Sequence, residues 1–212
     1  YLPQPYSWYD GHEKGGINQY DFNVAFNISD RVYLGLTIGA YDVNYSKIST
    51  YGEEYGEYIV ENVNYGIPSY EMTTENKIDG SGVDFKFGAI VRPFEDSPFR
   101  IGVSVHTPTF YNLKIKTNVR AVTYTPDFDS KKLSEAVVDS YDFTNGVDYG
   151  YDFRFRTPWK YNLSLGYTYG SSFAIGAEYE YQDYSAMHFS YSDGEAMGWQ
   201  NPTAKEMLKG VN

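Results

Sequence analysis

The sequence predicts an all-β chain, an antiparallel transmembrane β-barrel with short turns at one end and long excursions at the other. Three observations carry that expectation. Apolar residues recur at every second position in six segments, the period of a strand whose two faces meet unlike surroundings. Each stripe covers about 9–11 residues, the length a tilted strand needs to cross the hydrocarbon layer. Short turns near Asp30, Asp96 and Ser171 alternate with polar, acidic excursions at about 46–82 and 117–148, the loop asymmetry of an outer-membrane barrel.

The segments follow in order. Tyr20, Phe22, Val24, Phe26 and Ile28 share one face of the first, with Asp21, Asn23 and Asn27 opposite. After the turn Ser29-Asp30-Arg31, Val32, Leu34, Leu36, Ile38 and Ala40 form the second stripe, whose phase slips near Asp42 to Val43 and Tyr45, predicting a bulge or the membrane edge. The third sets Val83, Phe85, Phe87, Ala89 and Val91 against Asp84, Lys86 and Gly88. The fourth sets Phe99, Ile101, Val103 and Val105 against Arg100, Gly102, Ser104 and His106, and resumes in the same phase beyond Pro108 with Tyr111, Leu113 and Ile115. The fifth runs from Tyr151, Phe153 and Phe155 to Trp159, Tyr161, Leu163, Leu165 and Tyr167. The sixth places Phe173, Ile175, Ala177, Tyr179 and Tyr181 opposite Glu178 and Glu180.

Composition agrees with a boundary protein. Among 212 residues are 24 Tyr, 13 Phe and 3 Trp, and amphipathic rings settle where apolar and wet phases meet. The mean hydropathy of −0.52 does not argue against a barrel, because alternating faces keep the average low. No run approaches the roughly 18 apolar residues of a membrane helix. A net charge of −11 without a basic cluster excludes a nucleic-acid surface. The lack of cysteine removes disulfide and thiolate-metal chemistry, and suits an oxidising compartment.

No catalytic constellation is present, and His12, His106 and His188 are too dispersed to suggest a metal centre. No enzyme activity, metal or cofactor is expected. The segment Ser130–Val138 reads as a short amphipathic helix with Ser130 as N-cap. Glu53, Glu54, Glu57, Glu61, Glu71, Glu75 and Asp79, opposed by Lys77, read as a solvated acidic loop, with divalent-cation binding as the sharper alternative. Lys86, Arg100, His106, Lys114, Lys116, Asp152, Arg154, Arg156, Glu178 and Glu180 are expected to project into a polar lumen, since Lys or Arg on the lipid face costs about 2–4 kcal/mol at mid-bilayer. There they either pair with one another, the favoured reading, or greet an anionic ligand. The candidate ligand set is Arg154, Arg156, His106, Phe110 and Lys114. Pro108 and Pro158, placed at similar heights on adjacent strands, are candidate breaks in the wall, as a side exit or as local curvature.

Two stretches resemble a known family. Phe87-Gly88-Ala89-Ile90-Val91-Arg92-Pro93 through Phe99-Arg100-Ile101-Gly102-Val103-Ser104-Val105-His106-Thr107-Pro108 is similar to a hairpin of the FadL/TodX-type long-chain fatty acid transporters. Arg156-Thr157-Pro158-Trp159, Leu163-Ser164-Leu165-Gly166-Tyr167 and Ala177 to Ser185 resemble a second hairpin of that family, with Tyr184 where Trp is usual. The resemblance implies a barrel of about fourteen strands plugged by an N-terminal hatch. Residues 1–212 would be an internal fragment of that one domain, supplying about six strands and lacking the hatch and closing strands. It implies a multi-pass barrel in a Gram-negative outer membrane, of a Bacteroidetes-like branch. Passive uptake of long-chain fatty acids or other hydrophobic small molecules would be its function. Partners would then be that ligand, outer-membrane lipid or lipopolysaccharide, and the remaining strands. The alternative is a structural or adhesive outer-membrane barrel, or a Tyr-rich soluble surface-binding β module.

Overall fold

A computed structural model describes residues 5–209, so the chain ends Tyr1 and Asn212 lie outside the described residues. The elements are β1 (Tyr6–Ile28), β2 (Val32–Glu54), β3 (Ile59–Val60), β4 (Val63–Asn64), β5 (Ser69–Val91), β6 (Arg100–His106), β7 (Phe110–Asp127), β8 (Lys132–Asp139), β9 (Tyr149–Arg156), β10 (Lys160–Tyr169), β11 (Phe173–Gln182), β12 (His188–Tyr191) and α1 (Gln200–Met207). The fold is almost wholly antiparallel β, as the alternation predicts. β1 pairs with β2, β2 with β5, β5 with β6 and β7, β6 with β10, β7 with β8 and β9, β9 with β12, and β10 with β11. β6 and β7 follow one another across Thr107–Thr109, and β9 and β10 across Thr157–Trp159. Each predicted segment therefore has a strand, or a pair of strands in series.

Closure is not observed. Among the described residues β1 pairs only with β2 and β11 only with β10, so both edges lack a partner and no closed barrel forms. The excursions at 46–82 and 117–148 are largely strand, because β2, β5 and β7 run on into them. Ser130–Val138 is not helical. Lys132–Asp139 pairs with β7 as β8, matching Val122 to Val137 and Ala121 to Val138. A nine-residue helix is marginal alone, whereas two β-branched residues beside an unpaired edge gain a ladder. At the slip near Asp42 β2 runs on as a strand, and which of its faces carries the apolar residues changes there.

The chain divides into two units. The first comprises Tyr1–Gly16, Asn44–Asp79 and Lys114–Tyr151. In it the β3–β4 hairpin turns at Glu61 and Asn62, both in the left-handed region. Such a pair matches the right-handed twist of a two-residue hairpin. The ring of Tyr65 is buried and meets Tyr58 and Phe128 edge-on at 5.9 and 5.4 Å. Lys47 and Glu13 pair at 2.7 Å. The ammonium of Lys47, with the hydroxyl of Tyr45, holds the Glu13 carboxyl below its ordinary range.

The second unit comprises Ile17–Val43, Gly80–Leu113 and Asp152–Asn212. The β1–β2 turn places Ser29 and Asp30 at φ 54°, and Arg31 N–H donates to Ile28 O at 3.1 Å. Registers run Ala89 to Val103, Val103 to Leu163 and Leu163 to Tyr179. On the facing rows Lys86 matches His106, and His106 matches Lys160. One face is thus continuous in apolar side chains and the other in polar ones. α1 closes the chain beside β12, where the Asn201 amide donates to Phe189 O at 2.7 Å and accepts from Phe189 N–H at 2.6 Å.

Candidate functional site

The second unit is inverted relative to a soluble sheet. In β10 every apolar residue is exposed and every alternate one, Lys160, Asn162, Ser164, Gly166 and Thr168, is half-buried. Phe85, Val103, Leu163 and Ile175 are 37%, 50%, 47% and 61% exposed, while Asp84 on the polar face is 4% exposed. Burying a large apolar side chain is worth about 1.5–3 kcal/mol, so water alone would drive the opposite arrangement. From Trp159 to Tyr169 the exposed stripe measures about 33 Å at roughly 3.3 Å per residue. At a tilt near 40° that becomes about 25 Å, the height of a lipid-facing band.

The polar face is held by its own network. Lys86 Nζ donates to both oxygens of Asp21 at 3.2 and 3.3 Å, and Gln19 donates to the same carboxylate at 2.8 Å. Tyr41 and Thr109 donate their hydroxyls to Asp84 Oδ2 at 2.7 and 3.3 Å. Lys160 pairs with Glu180 at 3.2 Å. Of the charges expected to neutralise one another, Lys86 and Glu180 are paired, but with Asp21 and Lys160, which lie outside that set, and among the described residues neither Arg154 nor Arg156 forms a salt bridge.

The two Thr-Pro steps explain why. Pro108 and Pro158 interrupt the strands, and both rings are buried. The ladder across the gaps is maintained by threonines. Thr107 N–H donates to Phe85 O at 2.9 Å, Phe85 N–H to Thr107 Oγ1 at 3.0 Å, and Thr109 N–H to Thr157 Oγ1 at 2.8 Å. The phase is not kept across Pro108, contrary to the sequence expectation, because an interruption of this kind lets the side chains change face. Val105 is on the apolar face, yet Tyr111 shares the polar one, where its ring meets Tyr41 at 5.6 Å and stacks on Phe155 at 6.0 Å. Phe155 in turn stacks on Phe189 at 4.7 Å.

Arg154 and Arg156 stand exposed on the opposite face of β9 from Phe155. There they line a cleft of 180 Å³ with Phe110, Asn112, His188 and Ser190. The structure thus brings together Arg154, Arg156 and Phe110. It leaves His106 on the polar face opposite Lys86 and Lys160, and Lys114 in the first unit, beside a hollow with Lys116, Tyr141 and Asp148. Sequence reasoning missed His188 and Ser190 because the sixth stripe was ended at Tyr181. The alternation His188-Phe189-Ser190-Tyr191 was the available signal. In the acidic stretch Glu53 accepts from the hydroxyls of Tyr51 and Tyr55, Glu75 pairs with Lys77 at 2.8 Å, and Asp79 accepts from Asn44 at 3.1 Å.

Comparison with known proteins corrects the family and the function. No curated protein matches the sequence. The family model that does match covers residues 6–207 and is not that of the fatty acid transporters. The FadL/TodX assignment, fatty acid transport and the hydrophobic ligand as partner are overturned by this match, and the alternative of a structural or surface β module fits better. The Thr-Pro and Leu-Gly runs that carried the resemblance are what paired, interrupted strands of this kind require, and such residues do not specify a ligand. The matching family is described as BamG, which ties the chain to the outer membrane, and to that family this chain belongs.

Proposed function

We propose that the chain is a membrane-embedded accessory of outer-membrane protein assembly, acting as a partner of the Bam complex. The family membership supports the assembly role. The observation that carries the membrane-embedded part is β10, whose every apolar side chain is exposed and whose every alternate residue is sheltered. In this reading the apolar face of the second unit contacts acyl chains as part of the wall of a multi-pass barrel. Further strands would pair with the open edges of β1 and β11, since an unpaired edge does not persist in hydrocarbon. The acidic strands and hairpins of the first unit would be solvated and available to a protein partner.

The experiment is affinity purification of the tagged chain from its native membrane in mild detergent, together with depletion in cells. Co-elution of the Bam complex and reduced amounts of other barrels in the outer-membrane fraction are expected. A chain that elutes alone and whose depletion leaves those barrels at normal levels refutes the assignment.

A further inference from the structure

The cleft of Arg154 and Arg156 is not explained by packing. Two guanidiniums two residues apart on one strand face project the same way, and among the described residues no carboxylate forms a salt bridge with either. Glu180 is paired with Lys160 and Asp21 with Lys86 on the polar face, opposite the arginines, and Asp152, two residues before Arg154, is not free either. The side chains of Asn112, His188 and Ser190 add donors around the same 180 Å³ hollow, and Phe110, 45% exposed, gives it an apolar shoulder. Arginine forks match the oxygens of a phosphate bidentately.

Position narrows the ligand further. Arg156 precedes Thr157-Pro158-Trp159, and Trp159 stacks on Tyr161 at 6.4 Å at the end of the exposed apolar stripe of β10. The phase change at the Thr-Pro steps brings the arginines outward at that level. A long cation just beyond a Trp/Tyr belt is placed at the depth of headgroups. Charge, unpaired geometry and depth coincide at one spot.

From this we propose that the Arg154–Arg156 cleft is a binding site for a phosphate group carried by a lipid headgroup, with Phe110 against the adjoining acyl region. The inference rests on the lipid-facing reading of the second unit. An acidic segment of a partner protein is the competing occupant.

The test uses the full chain folded in zwitterionic micelles and titrated with short-chain phosphatidic acid, short-chain phosphatidylcholine and inorganic phosphate. Phosphatidic acid should bind saturably and more weakly as salt rises. Arg154→Gln/Arg156→Gln should weaken it by about tenfold or more, the loss of charge-assisted hydrogen bonds. Both side chains are exposed and free of salt bridges, so the variant should keep the wild-type heat-modifiable migration, and Lys205→Gln on α1 serves as a charge control that leaves binding unchanged. Equal binding by wild type and double variant overturns the proposal. Inorganic phosphate competing as well as phosphatidic acid overturns the lipid as source, and displacement by an acidic peptide at lower concentration replaces it with a protein partner. Flotation with phosphatidylcholine vesicles separates the premises. A chain that does not float refutes the lipid-facing wall, whereas one that floats without responding to phosphatidic acid refutes the cleft alone.

Discussion

Thr109 donates its backbone N–H to the side-chain oxygen of Thr157 over 2.8 Å, and Thr157 returns its own N–H to Thr109 O at 3.2 Å. Two strands broken by proline are thereby rejoined at the place where each break would otherwise leave donors unpaired. The residue beside each proline substitutes a hydroxyl for part of the missing ladder.

Removing that hydroxyl should be felt. Thr157→Val keeps the shape but leaves the Thr109 N–H, on a residue that is itself buried, without its acceptor. A buried donor left unsatisfied costs about 1–3 kcal/mol. The unfolding free energy of the chain in detergent, read from its urea midpoint, should fall by that amount for Thr157→Val and stay near wild type for Thr157→Ser. Equal midpoints for both would remove the threonine from the account of the break.

The two faces of the β6–β10 pair should bear charge at unequal cost. Val103→Arg, opposite Leu163 on the exposed apolar face, should lower stability in vesicles by about 2–4 kcal/mol, the depth-dependent cost of a cation at mid-bilayer. Asn162→Lys, on the sheltered face opposite Glu180, should cost markedly less. Folding equilibria in vesicles read both, and a reversed order would contradict the lipid-facing assignment.

The Glu13–Lys47 pair sets a pH window. Glu13 titrates below its ordinary value because of the hydrogen bond from Lys47, so its contribution is present above the ordinary carboxylate range and is lost as pH falls through the lowered value. Lys47 is raised by the same hydrogen bond, so its contribution is present below the ordinary lysine range and is lost as pH rises through the raised value. The pair is exposed, hence screened by salt. The thermal midpoint should be level across neutral pH and decline towards both extremes. Glu13→Gln should flatten part of the acid limb in low salt, and an unchanged limb would show that the contact adds nothing.

Much of the second unit was legible because period two is set by local sequence alone. The stripes Phe85 to Val91, Ile101 to Val105, Leu163 to Tyr167 and Phe173 to Tyr181 all became strands with the expected faces. What escaped reading depended on partners distant in sequence. β8 is a strand because β7 offers it an edge, and Val137 meets Val122 across the ladder. Arg154 and Arg156 fall on the face opposite Phe155 because Thr157 and Pro158 reset the phase against Thr109, and an extra residue in an interruption is invisible to a count of alternating residues. The family was misread for a related reason. Short Gly, Pro and aromatic runs report how neighbouring strands fit and carry little about what the assembled protein does.

The strict alternation of β10 has a last implication for biogenesis. A slip of one residue against β6 would bring Lys160, Asn162 and Ser164 to the oily side and withdraw Tyr161, Leu163 and Leu165 from it. If that face meets lipid as proposed, the bilayer would act as a proofreader, penalising a misthreaded hairpin before it could mature. Because the Thr-Pro steps restart the count, an error on one side of them need not propagate to the other, and each half of the sheet can be checked on its own.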